Sequence, residues 1–486
     1  MLRQSTAIAY RNIAAIFLFF TAIAFYFGDF TLYQTDPLAA LQHFASGFLS
    51  PQISSLDELI QALLTTIAFA LIGVAASVVP GFLLALVYHF TVVRWLCSFG
   101  RAVHEIFWGL LFLQVFGLSA STGLLAIIIP FSCIFAKVYS EQWASHGADA
   151  DGIHGDSVSV LIYGRLARSW TAMCHYTRYR FECGLRSATL LGFIGLPTIG
   201  YHLDTALKQL QYQESATYLL LFYLLTATIK YWLRPALIPL YLIAAVALLP
   251  AFAGTADNAL WRFISQDIIP YPLQNGVDGS AIAALWPWLS SLMTNTGWLA
   301  IVNTLILTVA ATAVSALLCL ALFPLASNRI DNPVIAFVGK AMLVVFRATP
   351  ELLFVFIILL MTGPSMLPAL IALALHNGAL LAFLLAKELD NIDTSEHETR
   401  GVNGWCYFWL PRVFGPFLSL LLYRTEHILR ESAIVGIIGI TTLGFYIDSG
   451  FEDLHFDTAF FFIVITALLT LVTDSISRRA QRYIGN

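Results

Sequence analysis

Residues 179–200 read YRFECGLRSATLLGFIGLPTIG, and residues 423–444 read YRTEHILRESAIVGIIGITTLG. Tyr179, Arg180, Glu182, Arg186, Gly192, Gly195 and Gly200 return as Tyr423, Arg424, Glu426, Arg430, Gly436, Gly439 and Gly444, each 244 residues further on. Each stretch closes a long apolar block and precedes one last apolar segment. A pattern recurring at one fixed offset describes two copies of a single unit joined head to tail. The junction falls near Pro235, giving a first repeat at 1–234 and a second at 235–486.

The solvent of this chain is set by its composition. Of 486 residues, 59% are hydrophobic and 11% charged, whereas soluble domains carry about 25% charged residues. With a mean hydropathy of +0.78, the apolar residues cannot all be hidden in one soluble core, so lipid must cover much of the surface. The net charge of −4 specifies no partner, and nothing points to nucleic acid. Cys97, Cys133, Cys174, Cys183, Cys319 and Cys406 share no CxxC spacing and read as small core residues, not disulfides or metal ligands. Arg3 and Arg11 precede an apolar run from Ile13 to about Phe30. The run is long and lacks a small-x-small cleavage site, which favours an uncleaved first membrane helix over a signal peptide.

A membrane helix needs about 20 apolar residues. Candidate segments fall at 13–33, 60–90, 104–120, 122–140, 170–195 and 215–233, then at 236–253, 298–326, 341–362, 366–386, 413–444 and 458–474. The expectation is an all-α polytopic membrane protein of about twelve helices, six per repeat. With the N-terminus inside, Arg94, Arg101, Lys137, Lys230, Lys340, Lys387, Arg412 and Arg478 all fall inside, and the outside loops hold only Lys208 and Arg262. That bias predicts cytoplasmic termini. An even helix number per copy makes the repeats parallel. The sizeable outside loops are 34–59 and 254–297; the large inside loops, 141–169 and 387–412, occupy equivalent places.

Catalytic patterns are missing. There is no GxxxxGK[ST] loop, HExxH or GxSxG, so the chain carries no visible energy-converting chemistry of its own. Asp149, Asp151, His154 and Asp156 read as a solvated loop. The Arg/Glu cluster is different. Glu182 and Arg186, like Glu426 and Arg430, stand four apart, which on a helix puts carboxylate and guanidinium on one face. Ionisable groups within a bilayer face a partner or a wet cavity. They either lock helices together as ion pairs or line a passage, with Arg180 and Arg424 offered to an anion. The glycines that follow, Gly192, Gly195 and Gly200 with Gly436, Gly439 and Gly444, serve either as hinges or for close backbone packing. Glu396, Thr399 to Trp405, and Leu410-Pro411 suggest a short helix, a glycine turn and a membrane helix start, a knob suited to a soluble partner.

These residues resemble the permease family of bacterial phosphonate ABC importers. The similarity rests on YRFExxxRSATxxG at 179–192, on Arg101-Ala102 with Glu105, on Gly117-Leu118, and on Lys137 with Ser140-Glu141. The second copy keeps Arg347-Ala348, Glu351, His376, Gly378 and the Arg424/Glu426/Arg430 set. The resemblance covers roughly 58–234 and 298–480. It implies a type I importer permease in the inner membrane, working with a cytoplasmic ATP-binding-cassette ATPase dimer and a periplasmic binding protein. The substrate would be a phosphonate-like or other phosphorus oxyanion. ATP and Mg would be held by the partner subunits, with no cofactor and no enzyme activity here. Glu141 would open the first ATPase-coupling segment, and Glu396, Gly401, Leu410 and Pro411 would belong to the second. The chain departs from the family in fusing two units. It has Leu166-Ala167 where Leu-Pro is expected, and Glu431-Ser432-Ala433 against Ser187-Ala188-Thr189. The halves are therefore expected to be inequivalent. The competing class is an ion- or proton-coupled secondary transporter with parallel six-helix halves, its Glu residues acting as proton sites.

Overall fold

The computed structural model describes residues 4–147, 159–252, 258–274, 276–329, 332–392 and 403–485. Among them all regular structure is helical. The first repeat holds α1 (Gln4–Phe27), α2 (Pro37–Gly47), α3 (Leu56–Leu86), α4 (Thr91–Ala102), α5 (Glu105–Phe116), α6 (Ala120–Gly147), α7 (Ala167–Leu190), α8 (Ile199–Lys208) and α9 (Tyr212–Trp232). The second holds α10 (Ile238–Leu248), α11 (Gly279–Leu292), α12 (Trp298–Ala326), α13 (Pro333–Ala348), α14 (Glu351–Thr362), α15 (Leu367–Asp390), α16 (Leu410–Ile434), α17 (Leu443–Glu452) and α18 (Phe456–Gly485). From α3 to α9 and from α12 to α18 the order is the same.

Six of the described helical stretches are long and apolar enough to cross a membrane, or up to eight if each of two bent pairs is one span. The other predicted segments are shorter or more polar. Two expected single spans are broken: α4 and α5 meet at 90°, and α13 and α14 at 101°. At the first break Val103 and His104 are extended, and His104 Nδ1 accepts from Ile106 N at 3.3 Å to start α5. At the second, Pro350 forces the same turn, because its ring excludes helical backbone at Thr349 and it lacks an N–H to donate. Non-helical backbone at membrane depth survives only where protein surrounds it. Both breaks are followed by a buried or half-buried glutamate, Glu105 or Glu351.

The repeated stretches also share their ends. α7 closes in a tight 3₁₀ turn, Leu191–Ile194, and α16 in Val435–Ile438. Gly195 (φ +94°) and Gly439 (φ +91°) then reverse the chain in the left-handed region that favours glycine. A Cβ on Gly192 would collide with the backbone of Gly200 and Tyr201, and one on Gly436 with that of Gly444 and Phe445. A Cβ on Gly200 or Gly444 would strike the carbonyl of Thr189 or Ala433. These glycines therefore occupy a close backbone crossing in each repeat. Each following helix is anchored at its first N–H: Ile199 N donates to Thr66 Oγ1 at 2.9 Å, and Leu443 N to Thr304 Oγ1 at 3.0 Å. Hydroxyls facing other helices are also satisfied locally, as where Thr304, Thr308 and Thr312 bond carbonyls one turn back at 2.6–2.7 Å.

Two compact units result, and they do not follow the repeat boundary. One comprises 1–42 with 268–486, the other 43–267. Within the first unit α1 packs along α12 and α18; within the second, α10 packs along α3. Helix α1 thus belongs to the unit that holds 268–486, and α10 to the unit that holds 43–267. The two placements are tied down at matching places. Met366 N, before α15, donates to Asp29 O at 2.9 Å, and Ala120 N, opening α6, donates to Ala251 O at 3.3 Å. In the 254–297 segment, α11 is capped by Asp278, whose Oδ1 accepts from Ala281 N at 2.7 Å. Tyr271 N donates to Asp457 Oδ2 of α18 at 3.0 Å.

Candidate translocation site

In the second repeat, Arg424 sits near the middle of α16 and reaches two partners. Its Nη2 donates to Glu431 Oε1 at 2.8 Å, and its Nε donates to Asn377 Oδ1 on α15. Asn377 Nδ2 closes the ring by donating to Glu431 Oε2 at 2.6 Å. The Arg424 side chain is 11% exposed and that of Glu431 8%, so the pair is held in a low-dielectric setting with both carboxylate oxygens occupied. Beside it, His376 Nε2 lies 3.2 Å from Glu351 Oε1, and its Nδ1 lies 3.2 Å from the Phe346 carbonyl. A carbonyl only accepts, so Nδ1 carries a hydrogen. The imidazole thus bridges the end of α13 and the first residue of α14 across the helix break.

One ligand atom each from Glu351, His376 and Glu431 lies within 4.8 Å of the others, a spacing that suits a metal ion. The Arg424 guanidinium already supplies the positive charge a cation would bring to Glu431.

The first repeat has the same frame with different side chains. Phe131 on α6 stands where α15 has Asn377, and Ser187 where α16 has Glu431. The Arg180 guanidinium lies 4.0 Å from the centre of the Phe131 ring. Its Nε is buried without a hydrogen-bond partner, and no residue among those described bonds or ion-pairs with it. Ser187 Oγ instead donates to Glu105 Oε1 at 3.1 Å, and His104 Nε2 lies 3.3 Å from Glu105 Oε2. Histidine and proline have changed places. His104 of the first repeat matches Pro350 of the second, and Pro130 matches His376, both at the offset of 246 that relates Glu105 to Glu351. Each glutamate still meets an imidazole, delivered from a different helix.

The other expected residues divide. Glu182 is exposed and makes no hydrogen bond or ion pair among the described residues, so the Glu182–Arg186 pairing expected from the four-residue spacing is not formed. Glu426 is buried at 2%, and Arg430 Nη2 meets His427 Nδ1 at 2.7 Å. Glu141 is exposed near the end of α6, 3.9 Å from Lys137. Leu410 and Pro411 stand where a π-helical turn, Gly404–Trp409, runs on into α16. Glu396 and Gly401 lie outside the described residues. Asn377, Phe131 and His104 were not singled out from sequence. Laying the repeats over each other at 246 residues marks all three, since it sets an amide against an aromatic ring and exchanges histidine for proline. What these groups offer is charge and hydrogen-bond donors.

Comparison with known proteins agrees with this architecture. Residues 325–485 match the family described as binding-protein-dependent transport system inner membrane component. The chain is 24% identical over 424 residues to the phosphate-import permease protein PhnE of Mycolicibacterium smegmatis, covering 79% of this chain and 76% of that one. It is 27% identical over 180 residues to the phosphite transport system permease protein PtxC of Stutzerimonas stutzeri, covering 35% of this chain and 66% of the relative. It is 30% identical over 102 residues to the putative cryptic phosphonate transport system permease protein PhnE2 of Escherichia coli, covering 20% of this chain and 84% of the relative. The match to the family falls in the second repeat, while the similarity to PhnE runs through most of both. A multi-pass helical chain with paired helix breaks, each followed by a glutamate, and with these relatives belongs to the phosphonate-type permeases of ABC importers.

Proposed function

We propose that this chain moves a phosphonate-like or other phosphorus oxyanion across the bacterial inner membrane, with ATP hydrolysed by separate subunits. The observation that carries this reading is the pair of arginines, Arg180 and Arg424, at matching positions beside a broken helix in each repeat. A guanidinium within a chain of this hydropathy costs several kcal/mol unless it is compensated, and its planar fork suits the oxygens of phosphorus acids. The names of the relatives point to the same substrate class. A periplasmic binding protein would deliver the anion. An ATPase dimer would engage the segments around Glu141 and around Glu396, Gly401, Leu410 and Pro411, with both termini cytoplasmic. Arg180, Glu182, Arg186, Arg424, Glu426 and Arg430 would line or gate the pathway, and the crossing glycines would keep each gate helix in register.

The test is co-purification. The tagged chain, expressed with an ATP-binding-cassette ATPase of a phosphonate-type importer from the same organism, should retain that ATPase in detergent, and substitution of Leu410 and Pro411 should weaken the retention. A chain that purifies alone, yet transports in liposomes without nucleotide, would remove the reading.

A further inference from the structure

We infer that the two arginines are not equivalent: Arg180 is the anion seat, and Arg424 is a structural lock. This rests on the oxyanion reading above and deepens it. The spacing of Arg424 and Glu431, seven residues on one helix, lets guanidinium and carboxylate meet at 2.8 Å. Arg180 and position 187 have the same spacing on α7, but position 187 is serine, and its hydroxyl turns to Glu105 at 3.1 Å. The second element of the lock is missing too. Asn377 accepts from Arg424, whereas Phe131 offers Arg180 only the face of its ring at 4.0 Å. A ring face orients a guanidinium without using its N–H donors. Arg180 is thus a half-buried cation with its buried Nε unpartnered. A buried donor without an acceptor is costly, and an oxyanion arriving along the pathway supplies the acceptors. The second repeat supplies its own from Glu431 and Asn377.

The lock can be transplanted. Ser187→Glu places a carboxylate seven residues from Arg180 on the same helix, the spacing at which Arg424 meets Glu431. Ser187→Glu combined with Phe131→Asn rebuilds the whole ring. The experiment reconstitutes the chain with its ATPase and binding protein and measures ATP-driven uptake of phosphite and of inorganic phosphate. It also measures the shift in thermal unfolding produced by each anion on the purified complex. Expected are a loss of uptake of tenfold or more and loss of the anion-induced shift, for Arg180→Gln and for both transplants. The unfolding temperature of the anion-free transplants should stay level or rise. A merely structural Arg180 would gain stability in the transplants and keep transporting, so uptake within twofold of the parent chain overturns the proposal. If the parent chain takes up neither anion but is stabilised by one, and Ser187→Glu abolishes that stabilisation, the seat stands while the transport reading falls. No stabilisation of the parent by either anion overturns the seat.

Discussion

Removing Glu431 gives the sharpest prediction about stability. Glu431→Ala takes a 2.8 Å charged bond from Arg424 and a 2.6 Å acceptor from Asn377. Breaking a buried pair from one side costs about 3–5 kcal/mol, because the remaining charge is stranded. Arg424 keeps its contact with Asn377 and is 11% exposed, which puts the loss near the lower end, about 3 kcal/mol. Arg424→Met strands Glu431 instead and should cost a similar amount. The double variant removes both charges and should cost no more than the worse single change. Arg180→Met breaks no ion pair and forfeits only its stacking on Phe131, about 1 kcal/mol. The assay is unfolding in mixed micelles by titration with a denaturing detergent, run as a double-mutant cycle. Additive losses for Arg424 and Glu431, or an Arg180→Met loss as large as that of Arg424→Met, would refute the assignment of lock and seat.

Other expectations follow from the repeated geometry. Gly195→Ala and Gly439→Ala should each destabilise by about 1–2 kcal/mol from the positive φ, and Gly192→Ala by more, because its Cβ meets backbone; the same detergent titration measures all three. Thr66→Val and Thr304→Val each remove one acceptor from the first N–H of the following helix and should cost nearly equal amounts, about 1 kcal/mol; a clear inequality would show that the anchors differ. The Ala281 backbone N–H, helped by Ser280, holds the Asp278 carboxyl below its ordinary value of 3.8. Its capping contribution is therefore complete above that value and lost as pH falls through the lower folded-state value. The stability gap between the parent and Asp278→Asn should accordingly narrow from pH 6 to pH 3.

Much of this was legible in sequence because the repeat kept its irregular features. Arg180, Arg424 and the six glycines stand out by their offset; the glycines mark a backbone crossing in each repeat, and the arginines mark a charge. The helix breaks were less visible. A run such as 341–362 is apolar on average, and a hydropathy window does not register the turn that Pro350 enforces or the one that His104 caps. The partnership of Arg424 with Asn377 joins residues 47 positions apart on different helices, so no local spacing reveals it. The four-residue rule pointed instead to Glu182 and Arg186, where the fold leaves Glu182 exposed. The placement of α1 and α10 in their compact units is also silent in sequence, since the composition of neither helix names a partner.

The central claim is that the chain borrows its power from an ATPase and uses it to move an oxyanion. Uptake of phosphite into liposomes containing the chain, its ATPase and its binding protein tests this directly. The account predicts uptake that requires ATP and the binding protein and is indifferent to an imposed proton gradient. Uptake driven by a proton gradient, with neither ATP nor the binding protein present, would contradict it.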